Sequence, residues 1–390
     1  MEMTSDKCGT PNSIAVVGAS ARAAAFSILR TGRSAVAADL FADADLVQHC
    51  PTTKISPYPE GLADWLAATD VDAWLYTGAL ENYPDLVDQL AAVRPLLGNS
   101  GEPLRRCRDP SKLQTVLAKN GLHFPETRTS CEKLPSDGSW LCKTYRGSSG
   151  SGVWELAGEA SRRQAAASGA CFQKRIEGKP ASVVFALSDS WTTLLGMTAQ
   201  WVGTSAARSA TFQYAGSHGL EQAISPTVQE QIKTLAQVLA NQFQLCGLVG
   251  VDLVLDSGRA WILEINPRYT ASVEVIERNT GVSAIAAHLA ACTGTALGCN
   301  RQAKSRAKTH GKAILYAKQA VTINTDFYTW AMAQSGHGLG SQLADIPAVE
   351  SKILNGRPVL TIFAEARANE IEKYLRQRLA EAETRLYARS

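Results

Sequence analysis

Two apolar runs, residues 248–255 and 260–265, are separated by Asp256-Ser257-Gly258, and this is the segment that most restricts the fold. Runs of that length broken by a turn triplet predict an antiparallel hairpin. Side chains at i and i+2 of a strand share a face, so Glu264 and Asn266 point one way and Leu263 and Ile265 the other. A three-residue loop would bring Asp252 onto the face of Glu264, and a two-residue loop would not; the sequence leaves both registers open. A carboxylate beside an amide oxygen suits a hard cation such as magnesium, which shares its oxygen ligands with nucleotide phosphates. Arg268, two residues beyond Asn266, offers a fixed positive charge to a transferring phosphoryl group or an oxyanion.

A second motif is Lys143-Thr144-Tyr145-Arg146-Gly147-Ser148-Ser149-Gly150-Ser151-Gly152. Glycines among small residues let a backbone fold closely over phosphates and donate N–H bonds, with Lys143 supplying charge. It is not a Walker A loop, which closes on Gly-Lys-Ser/Thr. A third segment, Phe172-Gln173-Lys174-Arg175-Ile176-Glu177-Gly178, reads as a strand and a turn. Asp109-Pro110 opens a helix that carries Lys112 and stops at Gly121.

In this order the motifs resemble the ATP-grasp superfamily, and the spacing of the hairpin is similar to that of biotin carboxylase. The resemblance implies that Asp252, Glu264 and Asn266 hold magnesium, or manganese in its place. It implies that Lys112, Lys143 and the loop residues Gly147, Ser148, Ser149, Gly150 and Gly152 hold ATP. Backbone groups of Lys174, Arg175 and Ile176 would meet adenine. Gln173 stands where relatives often carry Glu, Pro180 stands where some place a ribose-binding Glu, and Glu177 is the substitute. Arg268 would contact the reacting group.

The chain has 390 residues, 45% hydrophobic and 19% charged, enough for two or three domains. Strand–helix alternation over 1–105 predicts a parallel, doubly wound, Rossmann-like α/β domain of the kind that precedes an ATP-grasp fold. The resemblance places the ATP-grasp domain at 106–300 and a small C-terminal α+β extension, biotin carboxylase-like, at 301–390. Strands are expected at 13–17, 35–39, 73–76 and 96–98, a helix from Pro226, a basic linker over 301–312, and a terminal amphipathic helix over 369–385. A net charge of +3 gives no reason to expect a nucleic acid or a membrane surface as partner. There is no long apolar run and no signal-like start, and the nine scattered cysteines fit reduced thiols. A cytoplasmic protein is expected, and a homodimer by likeness to related enzymes.

Gly18-Ala19-Ser20-Ala21-Arg22 ends a strand and opens a helix, and Thr77-Gly78 with Glu81 and Asn82 follows another strand. Ligands of open α/β sheets bind at such strand ends, which makes Ser20, Arg22, Glu81 and Asn82 substrate-site candidates; Tyr214–Ser217 is read as a loop. The expected activity is an ATP-dependent carboxylate–amine ligase working through an acyl phosphate. The opening domain resembles that of uncharacterised ATP-grasp proteins linked to tetrahydromethanopterin-type cofactor synthesis, which implies a pterin side chain as a substrate. The alternatives are a biotin-dependent carboxylase component, for which the chain contains no Met-Lys-Met acceptor, and a nucleotide-binding protein without turnover.

Overall fold

The computed structural model describes residues 10–220, 224–296 and 308–388. The polar start up to residue 9 lies outside them, as does most of the basic stretch 301–312.

Ile14, Ala15, Val16 and Val17 are fully buried, as a strand covered on both faces must be. They lie in Ser13–Gly18, the third strand of a parallel sheet ordered Thr52–Lys54, Ser34–Asp39, Ser13–Gly18, Ala73–Tyr76. A Cβ on Gly18 would lie 2.1 Å from Thr77 Oγ1, so glycine is what lets the two strand ends close up. The strand expected at 96–98 reduces to a single bridge between Trp74 and Leu96.

A four-stranded antiparallel sheet follows, ordered Thr127–Arg128, Cys171–Lys174, Asp137–Lys143, Val153–Ala157, with the helix Gly158–Ser168 packed against it. The largest sheet has eight strands. It runs Arg259–Asn266, Gly247–Asp256, Lys179–Leu187, Thr192–Val202, Tyr214–Gly219, Thr309–Tyr316, Pro358–Ala366, Leu343–Ala344. Val228, Ile232, Leu235 and Leu239 of the helix Pro226–Asn241 bury against it at helical spacing. Ser225 caps that helix by accepting from Val228 N–H.

Two expectations need correction. Tyr214–Gly219 is a strand, not a loop. Residues 309–312 are not a linker: they begin the strand Thr309–Tyr316, held by Gly216–His218 on one side and by Pro358–Ala366 on the other. Lys312 is buried as a result. These pairings join segments about 95 and about 50 residues apart, which local sequence cannot report. The C-terminal helix Ile371–Leu386 covers this end of the sheet with Ile371, Leu375, Leu379, Ala382 and Leu386.

Candidate active site

Asp256 pairs with Arg259 around the two-residue loop Ser257-Gly258, whose φ values of 44° and 81° suit a tight hairpin turn. In a regular ladder this loop would set Asp252 opposite Leu263. The register shifts between Asp252 and Leu253: Leu253 faces Ile262, and Asp252 faces Glu264. Leu263 is therefore the extra residue of a β-bulge, and the bulge restores the parity that the short loop removes. With Gly250 facing Asn266, the side chains of Asp252, Glu264 and Asn266 share one face. Leu263 and Ile265 are expected in the opposite layer; Ile265 is fully buried in the core, and both border the cleft.

That face forms one wall of a cleft of about 330 Å³, a size ordinary for a small-molecule site. Facing it are Lys143, Gln173, Lys174, Ile176 and the loop residues Gly147, Ser148, Ser149 and Gly150. Lys143 Nζ donates to Gln173 Oε1 at 2.8 Å. The loop is pinned to the large sheet: Tyr214 N–H donates to Ser149 O at 3.1 Å, and a Cβ on Gly150 would come within 1.8 Å of Phe212 O. Gly152 stands behind the cleft wall, closing the turn against Thr144.

Within the wall, Asn266 Nδ2 donates to Asp252 Oδ2 at 3.0 Å, and Gln200 Nε2 donates to Asp252 Oδ1 at 2.8 Å. Arg268 Nη2 donates to Asn266 Oδ1 at 3.2 Å and lies 2.6 Å from the buried carboxylate of Glu81. Arg108 Nη1 donates to Glu264 Oε1 at 2.5 Å, and its Nη2 donates to Asn82 Oδ1 at the same distance. Burial pushes the Asp252 carboxyl above its ordinary pKa, and the nearby Glu264 charge adds to this. Burial also pushes Glu264 upward, but Arg108, Lys143 and Arg268 outweigh it and hold the group below its ordinary value.

Not every expected residue meets here. Lys112 sits on the helix Pro110–Lys119, with Nζ 3.2 Å from Glu102, outside the cleft walls. Arg175 turns away to Glu155 and Glu177, which takes Glu177 out of the cleft as well. The backbone N–H groups of Lys174 and Arg175 are committed to Glu126 O and Ser139 O. Ser20 is exposed, and its carbonyl accepts from Thr77 Oγ1. Arg22 is 2% exposed and locked between Glu274 and Asp345. Glu81 lines the cleft, and Asn82 reaches its rim through Gly147 O. Arg108 and Gln200 were not anticipated. Gln200 alternates with apolar neighbours on its strand, a pattern shared by any half-buried strand, and nothing local distinguishes Arg108 from a surface arginine.

The donor set fits magnesium: two carboxylates and an amide, all oxygen donors, on one face. Among the described residues no cluster of three His, Cys, Asp or Glu could hold a metal by itself, so the remaining ligands would be phosphate and water oxygens.

Residues 107–272 match the family model for the ATP-grasp domain. The chain carries an ATP-grasp domain. Its fold as a whole is similar to that of N5-carboxyaminoimidazole ribonucleotide synthetase in an ADP complex, with a TM-score of 0.70 at 17% identity, covering 96% of this chain and 97% of that one. It is also similar to an L-amino acid ligase from Bacillus licheniformis, with a TM-score of 0.69 at 14% identity, covering 96% and 98%. A third likeness is to the biotin carboxylase domain of Hydrogenobacter thermophilus 2-oxoglutarate carboxylase, solved with MgADP and bicarbonate, with a TM-score of 0.71 at 14% identity, covering 96% and 90%. The hairpin, which ends at Asn266, and the glycine loop both fall inside the matched residues. Among the described residues no helix is long and apolar enough to cross a membrane.

Proposed function

We propose that this ATP-grasp protein is an ATP-dependent ligase that joins a small carboxylate to an amine. The observation that carries the reading is the convergence of Asp252, Glu264 and Asn266 on one face, with Lys143 and the glycine loop across the cleft and Arg268 at its end. The relatives support it: one is named for ligating amino acids and another was solved with MgADP and bicarbonate.

Lys143 and the N–H groups of residues 148–150 bind the phosphates of ATP, while the Gly147 N–H is held by Thr144 O. Asp252, Glu264 and Asn266 would hold magnesium, which would supply positive charge to offset that of the phosphates. A substrate carboxylate oxygen attacks the γ-phosphorus; the bond to the β-phosphate oxygen breaks and ADP leaves. Arg268, fixed by Glu81 and Asn266, stabilises the charge that develops on the transferring group. The amine then attacks the acyl carbon, phosphate departs with the acyl C–O bond, and the amine proton passes to solvent. Asp252, ionising less readily than an ordinary aspartate, is held by Gln200 and Asn266 for its ligand role.

The pterin side chain implied by sequence resemblance is one substrate to include in a screen, with amino acids and bicarbonate. Manganese would substitute in the same oxygen donor set, and a homodimer is the expected assembly.

Trapping with hydroxylamine tests the intermediate. Incubation of the protein with Mg-ATP, pooled carboxylates and hydroxylamine is expected to yield a hydroxamate together with ADP. Nucleotide binding with no hydroxamate from any pool contradicts acyl phosphate formation.

A further inference from the structure

The glycine loop contacts the N-terminal domain at two points. Asn82 Nδ2 donates to Gly147 O at 3.2 Å, and the Arg146 guanidinium lies 5.3 Å from the centre of the Tyr83 ring. Asn82 has a second partner, since its Oδ1 accepts from Arg108 Nη2 at 2.5 Å. The other arm of that guanidinium donates to Glu264 Oε1, also at 2.5 Å. A continuous bridge therefore runs from the hairpin carboxylate through Arg108 and Asn82 to the backbone of the loop.

The chemistry of this bridge is specific. A carboxylate has two oxygens and about four lone-pair sites, so Glu264 can accept from Arg108 on Oε1 and present Oε2 to a cation. A planar guanidinium can serve Glu264 and Asn82 at once in a fixed fork, which a lysine cannot do. Arg108 is four-fifths buried, with a side-chain exposure of 20%, so its rotamer is held by its surroundings. Carboxylates that ligate metals depend on such hydrogen-bonding partners for their orientation.

We propose that Arg108 is the positioning residue of this site: it orients Glu264 toward the cation and, through Asn82, sets the glycine loop over the hairpin. The role rests on the nucleotide–magnesium reading above. It makes the Leu80–Asn82 turn of the N-terminal domain part of the nucleotide site without contact with the nucleotide.

Two readouts test the role independently of turnover. The first is calorimetric titration of ATP at a series of magnesium concentrations, for wild type, Arg108→Ala and Arg108→Lys. Arg108→Ala is expected to raise the magnesium concentration for half-maximal ATP binding by about ten- to hundredfold, and Arg108→Lys to recover part of that loss. The second is trypsin cleavage after Arg146, a site within the loop. Asn82→Ala, which leaves Arg108 in place, is expected to speed this cut several-fold while the melting temperature stays near that of wild type. Unchanged magnesium dependence in Arg108→Ala, with wild type binding normally, overturns the positioning role alone. Unchanged cleavage in Asn82→Ala overturns the link to the loop. A wild-type protein that binds no nucleotide overturns the nucleotide reading and the inference with it.

Discussion

Two groups of charges lie within this chain, and they differ in how their hydrogen-bonding capacity is used. In the first, Arg22 joins Glu274 through both terminal nitrogens, at 2.8 and 3.0 Å, and Asp345 through Nε at 2.6 Å. Lys312 approaches Glu274 at 3.5 Å, and Asp45 accepts from the backbone N–H groups of Asp345 and Ile346. Arg22 and Glu274 are each 2% exposed. In the second group, Asp252, Glu264, Asn266, Lys143 and Arg108 face the cleft, and their polar atoms retain lone pairs and protons for a ligand. The first group fastens the helices Arg22–Leu29 and Ala44–His49 to the helix Ala271–Thr280 and to the C-terminal segments that carry Lys312 and Asp345. The second is arranged to receive something. Charge and burial alone do not separate a structural cluster from a site; unspent coordination capacity facing a cavity does.

The contrast can be broken at several points. Arg22→Ala leaves buried Glu274 with only the more distant Lys312 and Arg278 among the described cations and is expected to cost about 3 kcal/mol of stability in urea unfolding, with turnover per folded molecule unchanged. An equal loss in ATP affinity at unchanged stability would place Arg22 in the second group.

His288 extends the structural side. Its Nδ1 accepts from Leu248 N–H at 2.8 Å, and its Nε2 bonds Leu97 O at 3.2 Å. Burial lowers its pKa to about 4, with the Leu97 carbonyl opposing the shift. The unfolded chain, at the ordinary value near 6.5, takes up a proton that the folded chain refuses. Stability from this group is therefore complete above about pH 6.5 and falls by about 3 kcal/mol as the pH drops to 4. His288→Gln is expected to flatten the pH dependence of unfolding in that window, and an unaltered slope would remove His288 as its cause.

On the cleft side, Arg268→Lys keeps the charge and loses the fork that spans Glu81 and Asn266. It is expected to lower kcat about a hundredfold with little change in KM for ATP. A change confined to KM would make Arg268 a binding residue instead. The smallest effect is expected at Lys112, half-exposed on its helix and paired with half-exposed Glu102. Lys112→Ala should leave the melting temperature unchanged, so a rise in the ATP dissociation constant would report directly that Lys112 reaches the nucleotide.

Much of the cleft was legible because its parts are local. The lysine before a glycine loop and the strand carrying Gln173 are each written within about ten residues, and the hairpin within about twenty. The shared face of Asp252 and Glu264 was not legible, because it depends on a bulge at Leu263 that leaves no mark in an alternating apolar run. Arg108 was missed because its partners lie 156 and 26 residues away. Arg22 reads in the sequence as a substrate-site candidate because a helix start after a strand favours anions; the anions that arrive there are the protein's own Glu274 and Asp345. Residues 309–312 have the composition of a linker, and strand pairing across the sheet overrides it.

The measurement that tests the central claim most directly is ADP and phosphate release from Mg-ATP against pooled carboxylates and amines, comparing wild type with Glu264→Ala. Release that requires both a carboxylate and an amine, and that disappears in the variant, is the predicted result. Release that proceeds equally in Glu264→Ala, or that ignores both pools in a wild type that binds ATP, would contradict the account.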